Sequence, residues 1–324
     1  MDITLLFSSS SSIKQKFTAT LIILSLAIII YTFIGLTSQG GDLIQLVKSL
    51  YSTLLICVLL IIPILGAKLI RWRLILSMIG LRIPISNDAK CWISSQAFLA
   101  TPGGSGLAIR ALLLKKKHNI PIPATLSAII FERLSDLFSV IVLALIININ
   151  FFLKQVYIIP ASILILTIFL YTNICHPNHK WLDRFANNLL SRLNPDRASS
   201  NENLIVYLKK LFRVDLIITT TLIGFIAWAI EGFSLYLILK SISSVDINWA
   251  TTTFAHISAV FIGALSLIPG GLGTAEATTV GILTFSGIPL DIAAPSTVLI
   301  RLLTIWLATI IGIVSLCLPS KSNE

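Results

Sequence analysis

The chain has 324 residues, of which 56% are hydrophobic and only 12% are charged, and its mean hydropathy is +0.93. Soluble domains carry about 25% charged residues, so this composition excludes an ordinary soluble protein and indicates a polytopic membrane protein. In a soluble chain the net charge of +10 would suggest nucleic acid as a partner, but here it is typical of cytoplasmic loops rich in Lys and Arg. We therefore expect membrane lipids, and no nucleic acid, as partners.

Apolar runs of about membrane-spanning length recur along the chain after an N-terminal segment, 1–16, which we expect to be disordered and cytoplasmic. The six uninterrupted runs are 17–36, 50–70, 124–147, 156–172, 215–239 and 296–318. The first run has about 20 residues, which exceeds the 7–15 of a signal peptide, so we expect an uncleaved span. The last six residues, 319–324, are predicted to form a cytoplasmic tail.

Two further apolar stretches, 92–113 and 251–287, are interrupted by proline and glycine. Their cores, "FLATPGGSGLAIRALLL" (98–114) and "LSLIPGGLGTAEATTVGIL" (265–283), share a Pro-Gly-Gly-x-Gly break followed by a segment with one ionisable residue. Broken backbone is tolerated at membrane depth only inside the protein or along a wet cavity. The alternative is two tight loops at the membrane surface, but the matched positions favour re-entrant hairpins. The predicted backbone breaks are Pro102, Gly103, Gly104, Gly106, Pro269, Gly270, Gly271 and Gly273.

The positive charges sort cleanly when each interrupted stretch enters and leaves the membrane on the same face. Outside the membrane, every Lys and Arg except Lys48, Lys154 and Lys240 then falls on one side, which predicts that this side and both termini are cytoplasmic. Counting each stretch as a single crossing would place "KKKH" (115–118) on the face opposite "RWR" (71–73). Both motifs are most simply topology determinants, although contact with lipid phosphate is also compatible with them.

The predicted fold is therefore an all-helical membrane bundle with about six full spans and two re-entrant hairpins, in one domain over 17–318. The two units 50–147 and 215–318 have opposite orientations, which is the pattern of an inverted repeat with a substrate site near the membrane midplane. The cytoplasmic loop, 172–214, contains "WLDRFANNLLSRL" (181–193), which is typical of an amphipathic helix lying on the membrane surface. We expect a multi-pass protein of the plasma (inner) membrane.

Seven ionisable residues lie inside or beside the apolar segments, where a charge costs about 2.5 to 3.5 kcal/mol on insertion scales. Each of them therefore needs a partner or a function. The seven residues are Arg110, Glu132, Arg133, Asp136, Glu231, Glu276 and Arg301.

The carboxylates among these residues allow more than one role. Glu132 and Asp136 lie four residues apart on one helix face, which suits either general acid–base chemistry or a structural ion-pair network with an arginine. Glu231, mid-span with Trp228 one turn before it, is compatible with a proton relay, a cation partner or an arginine partner. Glu276 is also compatible with capping the helix that follows the second break.

Arg110 and Arg301 are the favoured residues for an anionic ligand, because a guanidinium binds phosphate through two hydrogen bonds. The alternative is that both form salt bridges with the four acids. The four cysteines are scattered without metal-ligand spacing, and the four histidines share no spacing. We therefore expect no metal site and no cofactor, and we assign the histidines no role.

Six motifs carry a resemblance to a known family over roughly residues 17–318. They are "RWRLIL" (71–76), "TPGGSGLAIR" (101–110), "FERLSD" (131–136), "WAIEGFSLYLIL" (228–239), "LIPGGLGTAEA" (267–277) and "VLIR" (298–301). In this order the chain resembles the lysylphosphatidylglycerol synthase transmembrane-region family of flippase-like proteins. The resemblance implies a domain that moves aminoacylated or otherwise modified lipids between leaflets. Relatives often have an acidic residue near the first Pro-Gly motif, where this chain reads "GGSGLAIR", and this difference bears on headgroup preference.

The bifunctional relatives carry a soluble C-terminal domain that transfers an aminoacyl group to phosphatidylglycerol. Because this chain ends soon after its last predicted span, we expect that domain to be absent and the chain not to be an enzyme.

A lipid translocase is the favoured function. Arg110, Arg133 and Arg301 would contact the lipid phosphate. The four acids would complement a cationic headgroup or anchor the arginines. Transport would be downhill or ion-coupled, since the sequence has no nucleotide-binding P-loop. The alternatives are an integral-membrane transferase acting on a lipid carrier, with Glu132, Asp136 or Glu231 as base, and a non-catalytic scaffold. The sequence carries no signal for an oligomeric state.

Overall fold

The computed structural model describes residues 50–101, 106–148, 204–242 and 245–318, together with Thr18 and Ile22. Within these ranges all regular structure is helical, which confirms the predicted helical class. The first helices are α1 (Tyr51–Met78), α2 (Ile85–Ser95) with a 3₁₀ turn (Gln96–Phe98), α3 (Ile109–His118) and α4 (Ile122–Asn148). The later helices are α5 (Leu204–Leu211), α6 (Val214–Ile242), α7 (Trp249–Leu265), a 3₁₀ turn (Pro269–Gly271), α8 (Thr274–Phe285), α9 (Leu290–Arg301), a π-helical turn (Leu302–Trp306) and α10 (Leu307–Cys317).

Three described helical segments are long and apolar enough to cross a membrane: α1, α6, and the continuous run from Leu290 to Cys317. They match the predicted spans 50–70, 215–239 and 296–318, except that α1 continues to Met78. Helix α4 is equally long, at 27 residues, but carries three charges within about one turn, at Glu132, Arg133 and Asp136. The chain is therefore a multi-pass membrane protein.

Several predicted features fall outside the described residues. They are the span 17–36 apart from Thr18 and Ile22, the span 156–172, the amphipathic helix at 181–193, the termini 1–16 and 319–324, and the break residues Pro102, Gly103 and Gly104.

The chain divides into two compact units. The first unit comprises the described residues of Met1–Leu65, Lys90–Ile109 and Trp228–Glu324, and the second comprises those of Gly66–Ala89 and Arg110–Ala227.

In the first unit, α8 packs against both α7 and α9 around a core that includes Leu235, Leu283 and Ile300. Backbones approach so closely at two points that no side chain fits. A Cβ on Gly271 would lie 2.9 Å from the Cα of Gly263, and a Cβ on Gly312 of α10 would lie 2.1 Å from the backbone nitrogen of Ala97. Such small-residue contacts are how helices pack inside a membrane, where lipid provides no hydrophobic driving force.

A backbone break at the second Pro-Gly-Gly motif separates α7 from α8. Gly270 and Gly271 have φ of 64°, and Gly273 has φ of 82°, all in the left-handed region that glycine adopts without a steric penalty. Helix α8 then begins at Thr274. At the first motif, the described Gly106 donates from its backbone nitrogen to Thr101 Oγ1 at 2.6 Å.

In the second unit, α4 packs against α5 and α6. The rings of Phe131 and Phe212 meet edge to face at 5.6 Å between centroids, and Ser139 Oγ donates to the carbonyl of Thr221 at 2.9 Å. A Cβ on Gly224 would lie 2.2 Å from Ser139 Oγ and 2.7 Å from Arg71 Nη1. The absence of a side chain at 224 therefore lets α6 pass close to the charged turn of α4.

Candidate functional site

The charged turn of α4 receives a buried arginine from α1. Arg71 Nη1 lies 2.7 Å from Asp136 Oδ1, and Arg71 Nη2 lies 3.9 Å from Glu132 Oε1. Arg71 and Glu132 are almost completely buried. Because Glu132 and Asp136 are one helical turn apart, both present their carboxylates to the same guanidinium.

A second buried arginine reaches the same turn from α3. Arg110 Nη1 donates to Glu132 Oε2 at 2.8 Å, and its guanidinium carbon lies 4.2 Å from the centre of the Trp72 ring. The indole of Trp72 donates to Asp88 Oδ1 at 2.9 Å, which fixes the ring under the guanidinium. Arg110 is therefore held by a carboxylate on one side and by an aromatic face on another.

Asp88 completes this support from α2. Its Oδ2 lies 3.2 Å from Arg73 Nη1, and Arg73 also donates to the carbonyl of Ile83. Burial raises the pKa of Asp88 above its usual value, whereas the hydrogen bond from Trp72 and the charge of Arg73 act in the opposite direction.

The third arginine of the group differs from the other two in its exposure. Arg133 Nη1 lies 3.1 Å from Asp136 Oδ2, and its Nη2 lies 3.7 Å from Glu132 Oε2. Its side chain is 45% exposed, whereas those of Arg71 and Arg110 are almost fully buried. We call these five residues, Arg71, Arg110, Glu132, Arg133 and Asp136, the arginine cluster. Its three arginines and two carboxylates leave an excess of one positive charge.

In the first unit, Glu276 and Arg301 clip the second backbone break to α9. Glu276, the third residue of α8, accepts from the backbone nitrogen of Gly273 at 2.7 Å and from Arg301 Nε at 2.8 Å. Arg301 also donates through Nη2 to the carbonyl of Gly270. One ion pair therefore caps the new helix and satisfies a carbonyl that the break leaves outside regular helix.

Glu231 is paired with a histidine. Its Oε2 lies 3.1 Å from His256 Nε2, which joins α6 to α7, and both residues are buried. The Trp228 ring lies 6.3 Å from the imidazole ring, between centroids.

The structure thus sorts the seven predicted residues into three groups. Arg110, Glu132, Arg133 and Asp136 lie together in the second unit, while Glu276 with Arg301 and Glu231 with His256 form separate pairs in the first unit. Of the two favoured arginines, Arg110 pairs with Glu132 and Arg301 pairs with Glu276.

Sequence reasoning missed Arg71, Trp72 and His256. The sequence predicts "RWR" (71–73) as a topology determinant because the apolar run ends at residue 70. However, α1 continues to Met78, and no glycine follows Arg71 before Gly80. The uninterrupted helical sequence was the available signal. For His256 the signal was a single histidine within an otherwise apolar stretch.

The arrangement favours anion binding over acid–base chemistry. Both carboxylates of α4 are engaged by arginines, and among these arginines Arg133 has a side chain that is 45% exposed. The described residues contain no group of three or more His, Cys, Asp or Glu side chains able to hold a metal ion.

The change Glu132→Gln should destabilise the protein strongly. It leaves Arg71 and Arg110 buried with one carboxylate fewer, and breaking a buried ion pair costs about 3–5 kcal/mol. We expect a fall of that size in the free energy of unfolding, measured by denaturant titration in mixed micelles. Asp215→Asn is the matched control, because Asp215 pairs with Arg213 at the surface and should change little. Equal effects of the two changes would contradict the structural role of Glu132.

Comparisons with known proteins identify the family of the chain. The chain matches the family described as "Lysylphosphatidylglycerol synthase TM region" over residues 22–312. It is 22% identical over 236 residues to a UPF0104 membrane protein of Pyrococcus horikoshii, and this match covers 65% of this chain and 70% of that protein. It is also 29% identical over 94 residues to a UPF0104 membrane protein of Methanothermobacter thermautotrophicus, a match that spans only 28% of that relative's length and 29% of this chain. The chain belongs to the lysylphosphatidylglycerol synthase transmembrane-region family.

Proposed function

We propose that the protein is a flippase-like lipid translocase that handles an anionic or aminoacylated phospholipid or a related lipid. The observation that carries this proposal is the excess positive charge of the arginine cluster together with the exposure of Arg133. A phosphodiester carries one negative charge, so a bound headgroup would neutralise one positive charge of this excess. Such neutralisation is favourable for charges held in an apolar segment.

Two details of the cluster support a bound anion. Lys68 contributes a further positive charge near Asp136, which increases the excess. Among the described residues, Arg71 Nε is buried without a hydrogen-bond partner, and an unsatisfied buried donor is typical of a site that takes a water molecule or a ligand.

The accessibility of the three predicted arginines suggests different roles. Arg133 is the one that reaches the surface, so it is proposed to contact the phosphate directly. Arg110, which lies over Trp72 and pairs with Glu132, would attract the phosphate through its positive charge without contacting it. Arg301 is occupied by Glu276 and the Gly270 carbonyl, so its contact with phosphate would require that pair to open. Glu132, Asp136, Glu231 and Glu276 would hold the arginines or meet a cationic headgroup.

The helix lengths support the proposed re-entrant hairpins. Helices α7 and α8 have 17 and 12 residues, or about 25 and 18 Å, and α2 and α3 have 11 and 10 residues. A single crossing needs about 20 residues. Each short pair also flanks a Pro-Gly-Gly motif, which suits a hairpin that turns within the membrane.

The ion pairs support the proposed inverted repeat. In each half, the short helix after the break carries an ionisable residue paired with the next long helix: Arg110 with Glu132, and Glu276 with Arg301. The separations along the chain are 22 and 25 residues, and both nitrogen–oxygen distances are 2.8 Å. The two pairs carry their charges in opposite order. We propose six full spans with both termini in the cytoplasm of a plasma-membrane protein, as the distribution of Lys and Arg indicates.

Cysteine labelling tests the second hairpin. We expect single cysteines at Asp246→Cys and Asp291→Cys, which are exposed positions before α7 and at the start of α9, to react with an impermeant maleimide from the same, outer face. The background would have Cys57, Cys91, Cys175 and Cys317 replaced by serine. A cysteine at Ser77, near the end of α1, should be labelled from the opposite face. Labelling of 246 and 291 from opposite faces would contradict the hairpin.

Lipid movement in reconstituted liposomes tests the function. We expect wild-type protein to move a labelled phosphate-bearing lipid, and Arg133→Gln to reduce the rate about tenfold, because a hydrogen bond to a charged group contributes about 1.5–3 kcal/mol. Arg133→Lys should retain part of the rate, since lysine keeps the charge but not the two-pronged geometry. The matched control is Arg213→Gln, a surface arginine at the start of α6.

The set of lipids tested would include anionic, zwitterionic and aminoacylated species, and the lipid that moves would define the headgroup class. Equal rates for Arg133→Gln and Arg213→Gln would remove Arg133 from the site. No movement of any lipid by folded wild-type protein would contradict the translocase and favour the transferase or scaffold alternative.

A further inference from the structure

The ion pair between Glu231 and His256 differs chemically from those of the other buried carboxylates. In the described ranges, each of the other buried carboxylates pairs with an arginine, which keeps its charge at every accessible pH. These carboxylates are Asp88, Glu132, Asp136 and Glu276. Imidazole is the side chain whose charge ordinarily changes between about pH 5 and 8. A carboxylate and an imidazole that lie 3.1 Å apart can therefore share one exchangeable proton.

The helix contact beside this pair is lined by hydroxyl groups. Gly232 lies so close to α7 that a Cβ there would be 2.4 Å from Thr253 Oγ1, and Thr252 Oγ1 donates to the Gly232 carbonyl at 3.4 Å. Within the described residues, the buried Thr253 Oγ1 has no hydrogen-bond partner. A water molecule that carries a proton to the pair would satisfy this hydroxyl.

The elements packed on α6 and α7 in the first unit carry other titratable groups. From α1, the Cys57 thiol donates to the carbonyl of Ser234, one turn after Glu231. From α8 and α9, Glu276 and Arg301 hold each other at the second break. Glu276 is held by an arginine and Cys57 by a carbonyl, whereas Glu231 faces the imidazole of His256.

We propose that Glu231 and His256 form a proton-binding site that couples proton movement to lipid transport. This inference rests on the proposed translocase function. A proton taken from one aqueous face protonates His256 and gives an imidazolium–carboxylate pair of zero net charge. Release of that proton to the other face returns the pair to a single negative charge. One proton crosses in each cycle, and no covalent bond to the lipid is made or broken.

Reconstituted liposomes with an imposed pH gradient test this coupling. The membrane potential is clamped with potassium and valinomycin, and the distribution of a labelled phosphate-bearing lipid between leaflets is measured at steady state. If one proton accompanies one lipid, wild-type protein should shift the ratio of the two leaflet concentrations about tenfold for each pH unit. The variants His256→Gln and Glu231→Gln should leave the ratio unaffected by the gradient. The matched variant His118→Gln, at the end of α3, should respond as the wild type does.

The outcomes distinguish the coupling from the underlying function. Lipid movement by the wild type that ignores the pH gradient would overturn the proton site while leaving the translocase intact, and this result needs no variant to fold. A full gradient response in folded His256→Gln would overturn it as well. No lipid movement by the wild type would contradict the proposed function, and the coupling would fall with it. A response present in wild type and His118→Gln, but lost in both pair variants while they still exchange lipid without a gradient, would support the site.

Discussion

The carboxylates of α4 are the constraint on which the rest of the second unit depends. Glu132 and Asp136 each contact more than one arginine, and without them Arg71 and Arg110 would be isolated charges in an apolar interior. An unpaired buried guanidinium costs so much free energy that α1, α3 and α4 must be positioned to keep these side chains paired. The absence of a side chain at Gly224 belongs to the same arrangement, since a Cβ there would collide with Ser139 and press on Arg71.

In the first unit, a charged pair satisfies polar groups of the backbone. A Pro-Gly-Gly break leaves polar backbone groups that lipid cannot satisfy, and the chain uses a charged pair to satisfy them. Glu276 accepts from the backbone nitrogen of Gly273, which precedes α8, and Arg301 donates to the carbonyl of Gly270. The break and the ion pair are therefore one structural device. An ion pair so engaged in holding backbone is less available to a ligand than the half-exposed Arg133.

The sequence predicted those features that depend on local composition. The helical class and three of the spans follow from the apolar runs of the sequence. Glu132 and Asp136 were also identified, because their spacing places them on one face.

The partners of these residues were less predictable, since pairing depends on how distant helices meet. Periodicity along one helix does not show that Arg71 reaches Asp136 across 65 positions, or that His256 meets Glu231. Two alternatives were stated for the α4 acids, structural pairing and a ligand site. The geometry shows the pairing with Arg71 and Arg110, and the ligand site at the half-exposed Arg133 stays a proposal.

The most direct test of this account measures lipid binding to the arginine cluster rather than transport. Delipidated protein in detergent is titrated calorimetrically with a short-chain phosphatidylglycerol and, separately, with the matching diacylglycerol, which lacks the phosphate. We predict saturable binding of the phospholipid only, with an affinity that falls about tenfold or more in Arg133→Gln. Equal affinity of wild type and variant, or equal binding of the two lipids, would contradict the claim that the excess positive charge of the cluster recognises a phosphate.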